Sequence, residues 1–168
     1  MSLVTLYHGQ KGYDGSNEIT SFHFDPYVYL TDNYNYAQSY SKSNSVYDIK
    51  INSETLLDCT ELGGNKTYFV FVQNFLKKKG IFISYEFKQL FDGSYPEYAF
   101  WQMVRIDSKG RLMNQLVSKG YNGIIIIEES KGRFYKSYVL FNEKTIINIM
   151  KHENLVEKIL KESKQNYL

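Results

Sequence analysis

Apolar and polar positions alternate along this chain in two different rhythms, and the rhythm changes mark most of its elements. Residues 3–7 form a short apolar stretch ending at His8-Gly9, which predicts a strand. Residues 11–24 are rich in Gly, Ser, Asn and Asp and read as a mobile loop. Residues 28–30 are strand-like, and Asp32 is placed to cap a helix over about residues 33–41. Over residues 46–51 Val46, Asp48 and Lys50 alternate with Tyr47, Ile49 and Ile51, the period-2 pattern of a half-buried strand.

The spacing of Phe69, Val72, Phe75 and Leu76 predicts a helix over residues 68–78, closed by Lys77-Lys78-Lys79 before Gly80. Further helices are predicted over residues 98–104 and 111–119. The β-branched run Gly123-Ile124-Ile125-Ile126-Ile127 predicts a fully buried central strand. A charged turn over residues 128–133 and a strand over 134–141 follow. Residues 151–163 carry Leu155, Val156, Ile159 and Leu160 on one face and predict a C-terminal helix reaching about residue 165. Without regular strand–helix–strand alternation, the fold class expected is α+β, in one domain spanning residues 1–168.

Composition narrows the function classes. The formal net charge is +2 with acids and bases interleaved, which argues against a dedicated nucleic-acid footprint. Cys59 is the one cysteine, so an internal disulfide and a cysteine-based zinc site are excluded; a small, half-buried apolar role is expected. No apolar run approaches the ~20 residues that span a bilayer, and the first residues lack the form of a signal peptide. The expectation is a cytoplasmic protein, or one delivered by a route that needs no signal peptide, with no metal and no membrane partner. Sixteen tyrosines supply ring faces that carry a hydroxyl, suited equally to core, surface and ligand.

Candidate chemistry concentrates near the N-terminus. Ala37 and Tyr40 are i,i+3 neighbours, a small residue beside a ring, which leaves a slot for a flat group. Tyr29 can supply an opposing face, His8 can reach sugar hydroxyls, and the backbone of Gly9 can orient a carboxamide. Each also has an ordinary reading: a surface histidine, core tyrosines, a glycine supplying positive φ. The residues alone do not single out one ligand.

Tyr7-His8-Gly9, then Val28-Tyr29-Leu30-Thr31-Asp32 with Ala37 and Tyr40, resembles the ADP-ribosyltransferases of the His-Tyr-Glu group. That group holds diphtheria-like toxins, poly(ADP-ribose) polymerases and small transferase domains of bacterial and phage polyvalent proteins. Leu56-Leu57-Asp58, Lys119-Gly120-Tyr121-Asn122-Gly123-Ile124 and Tyr138-Val139-Leu140-Phe141-Asn142 resemble later segments of the small domains, so the likeness covers roughly residues 3–147.

The resemblance implies a split β-sheet core with flanking helices and a mono-ADP-ribosyltransferase that cleaves NAD, its substrate, and modifies a protein or nucleic-acid acceptor. It implies that His8 holds the adenosine-side or nicotinamide-side ribose, that Gly9 holds the carboxamide, and that Tyr29 is the middle member of the His-Tyr-Glu set. Tyr40 would stack on nicotinamide, with Thr31 and Ala37 in the same binding set. The position of the group's glutamate is occupied by Ser137 in this chain. Three explanations follow: another carboxylate, Glu143, Glu129 or Glu128, reaches the site; transfer proceeds without one; or the domain is a catalytically silent binding or interaction module. Residues 11–24 and 83–97 are expected to border the cleft.

Overall fold

The computed structural model describes residues 1–10, 24, 26–41, 45–91, 97–153 and 155–165. Among these residues seven strands form one mixed sheet. In chain order they are β1 (Leu3–Gly9), β2 (Val28–Thr31), β3 (Val46–Asn52), β4 (Leu56–Asp58), β7 (Gly123–Ser130), β8 (Arg133–Leu140) and β9 (Ile146–Lys151). Between them β5 (Thr67–Tyr68) and β6 (Glu97–Tyr98) pair as a separate ribbon. The sheet order is β4-β7-β8-β2-β1-β3-β9, antiparallel except for the parallel β4–β7 pair. Among the described residues six helices accompany the sheets: α1 (Tyr34–Ser39), α2 (Phe69–Lys78), α3 (Tyr85–Gln89), α4 (Phe100–Ile106), α5 (Arg111–Ser118) and α6 (Leu155–Gln165).

Apolar side chains of the sheet separate onto its two faces, as period-2 strands require. Ile124, Ile126, Val139 and Phe141 pack with Phe69, Val72, Leu76, Phe87, Phe100, Met103, Leu112 and Leu116 from the helices. On the opposite face Leu6, Val28, Leu30, Ile49, Ile51, Tyr138 and Leu140 form a second cluster.

The β1–β2 seam is the weakest joint of the sheet. β1 pairs with β3 along its whole length, from Leu3↔Asn52 to Gly9↔Val46, whereas the β1–β2 register is the single pair Tyr7↔Thr31. Beyond that pair the two halves diverge, and a crevice opens between His8-Gly9 and Tyr29.

Several expected boundaries shift for identifiable reasons. β1 runs through His8 and Gly9 because its pairing with β3 continues to Val46. The cap of α1 is Asn33, whose Oδ1 accepts from Tyr36 N at 2.8 Å, so Asp32 does not cap it. Tyr98 pairs with Thr67 in the ribbon, and α4 therefore starts at Phe100. The charged turn contracts to Lys131-Gly132, both at positive φ (52° and 75°). This is a two-residue hairpin loop, so Glu128, Glu129 and Ser130 are strand residues paired with Tyr135, Phe134 and Arg133. β7 lies second from the edge, with Ile124 and Ile126 buried but Ile125 and Ile127 only partly so.

Lys151 belongs to β9, a strand that the hydrophobic pattern does not predict, and α6 starts only at Leu155. Ile159 and Leu160 of that helix are exposed at 56% and 55%, so the predicted apolar face is not packed there. The side chains of Leu155 and Val156 lie outside the described residues. Cys59 is fully buried in the larger cluster, and its thiol is pushed up by burial and then by neighbouring Asp58. Among the described residues no helix is long and apolar enough to cross a membrane.

Candidate functional site

The crevice at the seam opens into a cavity of about 410 Å³, within the range typical of small-molecule sites. His8, Gly9, Tyr29, Thr31, Ala37, Tyr40 and Ser137 all line it. Tyr36, Arg105 and Glu128 join them.

Strand alternation fixes what Gly9 presents. Gln10 N–H donates to the Ser45 carbonyl and the Val46 carbonyl accepts from His152 N–H, so Gly9 faces Val46 at a non-bonded position of the β1–β3 ladder. Its N–H and C=O are therefore aimed toward the β2 side. The strand residue that would answer them is Tyr29, but pairing ends at Tyr7↔Thr31. The Tyr29 carbonyl instead accepts from His8 Nδ1 at 2.9 Å, which locks the imidazole across the gap. Burial lowers the His8 pKa, against a smaller opposing effect of that hydrogen bond. The ring is thus neutral near pH 7 with its proton on Nδ1.

Gly9 is not among the positive-φ residues. A Cβ there would stand 1.8 Å from the Ala37 carbonyl oxygen and 2.8 Å from its carbon, so close approach of α1 is what demands glycine. Ala37 is itself buried on the helix face turned to the sheet.

The tyrosines differ in role from the simple slot expected. Tyr40 is the C-cap of α1, 39% exposed, with its ring edge-on to Tyr36 at 5.2 Å and its hydroxyl 2.9 Å from that of Tyr36. Tyr36, not singled out in the sequence, is the buried ring: it stacks flat on Tyr135 at 3.9 Å with a 3° interplanar angle. Tyr29 packs edge-on to Tyr27 at 6.3 Å. Its hydroxyl is pushed up to about 12, first by burial and then by the charge of Glu128, and stays protonated at neutral pH. At the rim, Tyr7 lies edge-on to both Tyr34 and His152. His152 Nδ1 donates to Asp48 Oδ1 at 2.8 Å.

Of the three carboxylates considered, Glu128 is the one in the site. Ser137 lies opposite Ile126 on β7, one diagonal step from Glu128 on the same face. Ser137 Oγ donates to Glu128 Oε2 at 2.5 Å, and Tyr36 OH approaches the same oxygen at 3.5 Å. Arg105 Nη2 donates to Oε1 at 2.7 Å. The Glu128 side chain is 3% exposed, so its charge is sustained by this set of donors. Glu129 caps the hairpin instead, accepting from Gly132 N at 2.6 Å. Glu143 starts a 3-10 turn behind Asn142. Thr31 donates to the Lys136 carbonyl at 3.0 Å and accepts from Asn33 N, which ties β2, β8 and the start of α1 together.

Residues 11–23 and 92–96, expected at the cleft border, lie outside the described residues. Phe87 and Phe91, from the described part of residues 83–97, are buried in the helical core. Arg105 escapes a reading of the sequence because a single arginine in an amphipathic stretch carries no signal of its own. Tyr36 is hidden among its neighbours Tyr34 and Tyr40. Among the described residues no three His, Cys, Asp or Glu side chains cluster as a metal site. Comparison with protein-family models, with curated proteins and with solved structures found no match.

Proposed function

We propose that this chain is a mono-ADP-ribosyltransferase with an ADP-ribosyltransferase-like split-sheet fold, using NAD as substrate and a protein or nucleic acid as acceptor. The observation that carries the reading is the buried carboxylate of Glu128 beside Ser137, reaching from the neighbouring strand into a crevice walled by His8, Gly9, Tyr29 and Tyr40.

The chemistry follows from that arrangement. The outward-facing N–H and C=O of Gly9 suit the carboxamide of nicotinamide, and the ring faces of Tyr29 and Tyr40 suit its pyridinium. The glycosidic bond between C1′ and the ring nitrogen breaks, and the bonding pair leaves on neutral nicotinamide. The ribosyl oxocarbenium that remains is stabilised by a nearby negative charge, a role that falls to Glu128. An acceptor nucleophile then bonds to C1′ and gives up its proton, a transfer in which the same carboxylate serves as base; water in that place gives NAD hydrolysis. His8, held by the Tyr29 carbonyl, fixes the sugar-side wall of the crevice.

The test is incubation with NAD labelled in its adenylate. Label transfer to an acceptor, or free nicotinamide, supports the reading, and Glu128→Gln should lower the rate by about 10²-fold or more. No nicotinamide release by the wild-type protein under any acceptor condition would sink it. The Arg105–Glu128 ion pair favours a second reading, a silent module that binds the dinucleotide: a carboxylate already neutralised stabilises a new cation less well. Saturable NAD binding without nicotinamide release distinguishes that case.

A further inference from the structure

The cation beside Glu128 has a shape that matters. Arg105 Cζ lies 5.2 Å from the Trp101 ring centroid and 5.7 Å from that of Tyr29, while Nη2 grips Glu128 at 2.7 Å. The hydroxyls of Tyr29 and Tyr40 also interact electrostatically with it. A flat guanidinium thus rests on aromatic rings with a carboxylate at its edge, inside the cavity lining. The pair is lopsided: the Arg105 side chain is 46% exposed and that of Glu128 3%. The carboxylate belongs to the interior, whereas the guanidinium can swing into solvent without crossing the core. Guanidinium is weakly hydrated and readily stacked, unlike an ammonium.

We propose that the crevice is a binding site for a planar, delocalised cation, that the Arg105 guanidinium holds this place, and that an incoming cationic ring displaces it from Glu128. The pyridinium of an NAD-type dinucleotide belongs to this class, so the proposal deepens the function proposed above and rests on it for the identity of the dinucleotide. Exchange of one flat cation for another leaves the buried carboxylate paired throughout. A neutral ring has no such exchange available, since displacing Arg105 would strand the Glu128 charge. Once nicotinamide has become neutral it no longer competes with the guanidinium, whose return to Glu128 expels it. Arg105 is therefore a built-in competitor of the cationic ring, and the buried charge of Glu128 is what discriminates against neutral rings.

The experiment titrates the full chain with 1-methylnicotinamide, a fixed cation, and with neutral nicotinamide, following binding by calorimetry or NMR. The wild-type protein should prefer the cation. Arg105→Gln should bind the cation at least tenfold more tightly, with nicotinamide affinity changed less than twofold, and Glu128→Gln should abolish the preference. An unchanged or weaker cation affinity in Arg105→Gln overturns the proposal, as does an equal gain for both rings, which would report only added space. If Arg105→Gln does not fold, Arg105→Lys serves, since it keeps a charge for Glu128 without the plane; it must show a smaller gain in the same direction, and no gain overturns the proposal. NAD cleavage by the wild type combined with no gain in the variants removes this inference and spares the transferase reading. A gain without any NAD cleavage does the reverse.

Discussion

Replacing Gly9 by alanine tests the geometry that brings α1 to the crevice. The new Cβ would sit 1.8 Å from the Ala37 carbonyl oxygen and 3.4 Å from Ser41 N. Ordinary carbon–oxygen contact is roughly 3.2 Å, so α1 or β1 must move by roughly 1.4 Å, and the obstacle is backbone with no rotamer to yield. Overpacking costs typically about 1–3 kcal/mol, and a rigid obstacle places Gly9→Ala at the upper end, about 3 kcal/mol. For a chain of this size that is a fall in Tm of roughly 6–12 °C. Thermal unfolding followed by circular dichroism reads it. Gly120→Ala is the control: Gly120 has φ 90° and nothing within 4 Å of a new Cβ, so only backbone strain of about 1–2 kcal/mol applies. A Gly9→Ala protein melting within about 2 °C of wild type would refute the close approach, and with it the account of why glycine stands there.

Other consequences are equally open to measurement. Lys131 sits at φ 52° in the β7–β8 hairpin, and Lys131→Asn, which tolerates that conformation, should raise stability by about 0.5–1 kcal/mol; a chemical melt with unchanged or lower midpoint contradicts the turn. His8 has its pKa lowered in the fold, so the unfolded chain binds its proton first, and stability contributed by the neutral ring is complete above about pH 6.5 and lost as pH falls below it. His8→Gln should flatten the pH dependence of Tm between about pH 7 and pH 5, and an identical slope in the variant would exclude this contribution. Buried Cys59, its thiol pushed up by burial, should resist a thiol reagent at about pH 8 until the protein is unfolded by denaturant. Fast labelling of the native chain would contradict its placement.

Much of this architecture can be read from the chain because its strands and long helices are strictly periodic. Tyr47, Ile49 and Ile51 of β3 and the α2 positions Phe69, Val72, Phe75 and Leu76 are buried as their spacing requires, while Val46 is buried against the pattern. Short elements escape, since β5, β6 and α3 are two to five residues long and owe their form to tertiary contacts. The hairpin misleads because Glu128 and Glu129 look like turn residues, yet one is buried under an arginine and the other caps the loop. Convergence of His8, Gly9, Tyr29 and Tyr40 on one cavity is what the family resemblance implies, and their spacing alone does not fix it. Which of Glu128, Glu129 and Glu143 lines the cavity is not legible, because Glu128 on β7 meets Ser137 on β8 only through the pleat and register of the sheet. Linear spacing cannot express that diagonal.

The single Tyr7↔Thr31 rung gives the molecule a mechanical character that its seven-stranded sheet conceals. Two ribbons share one backbone rung and the apolar cluster around Leu6 and Leu30, and α1, which touches β1, β2 and β3, acts as the clasp across them. A guest wedged beside that rung supplies the cross-links the backbone omits, so occupancy should slow hydrogen exchange in both ribbons together, far from any atom the guest touches.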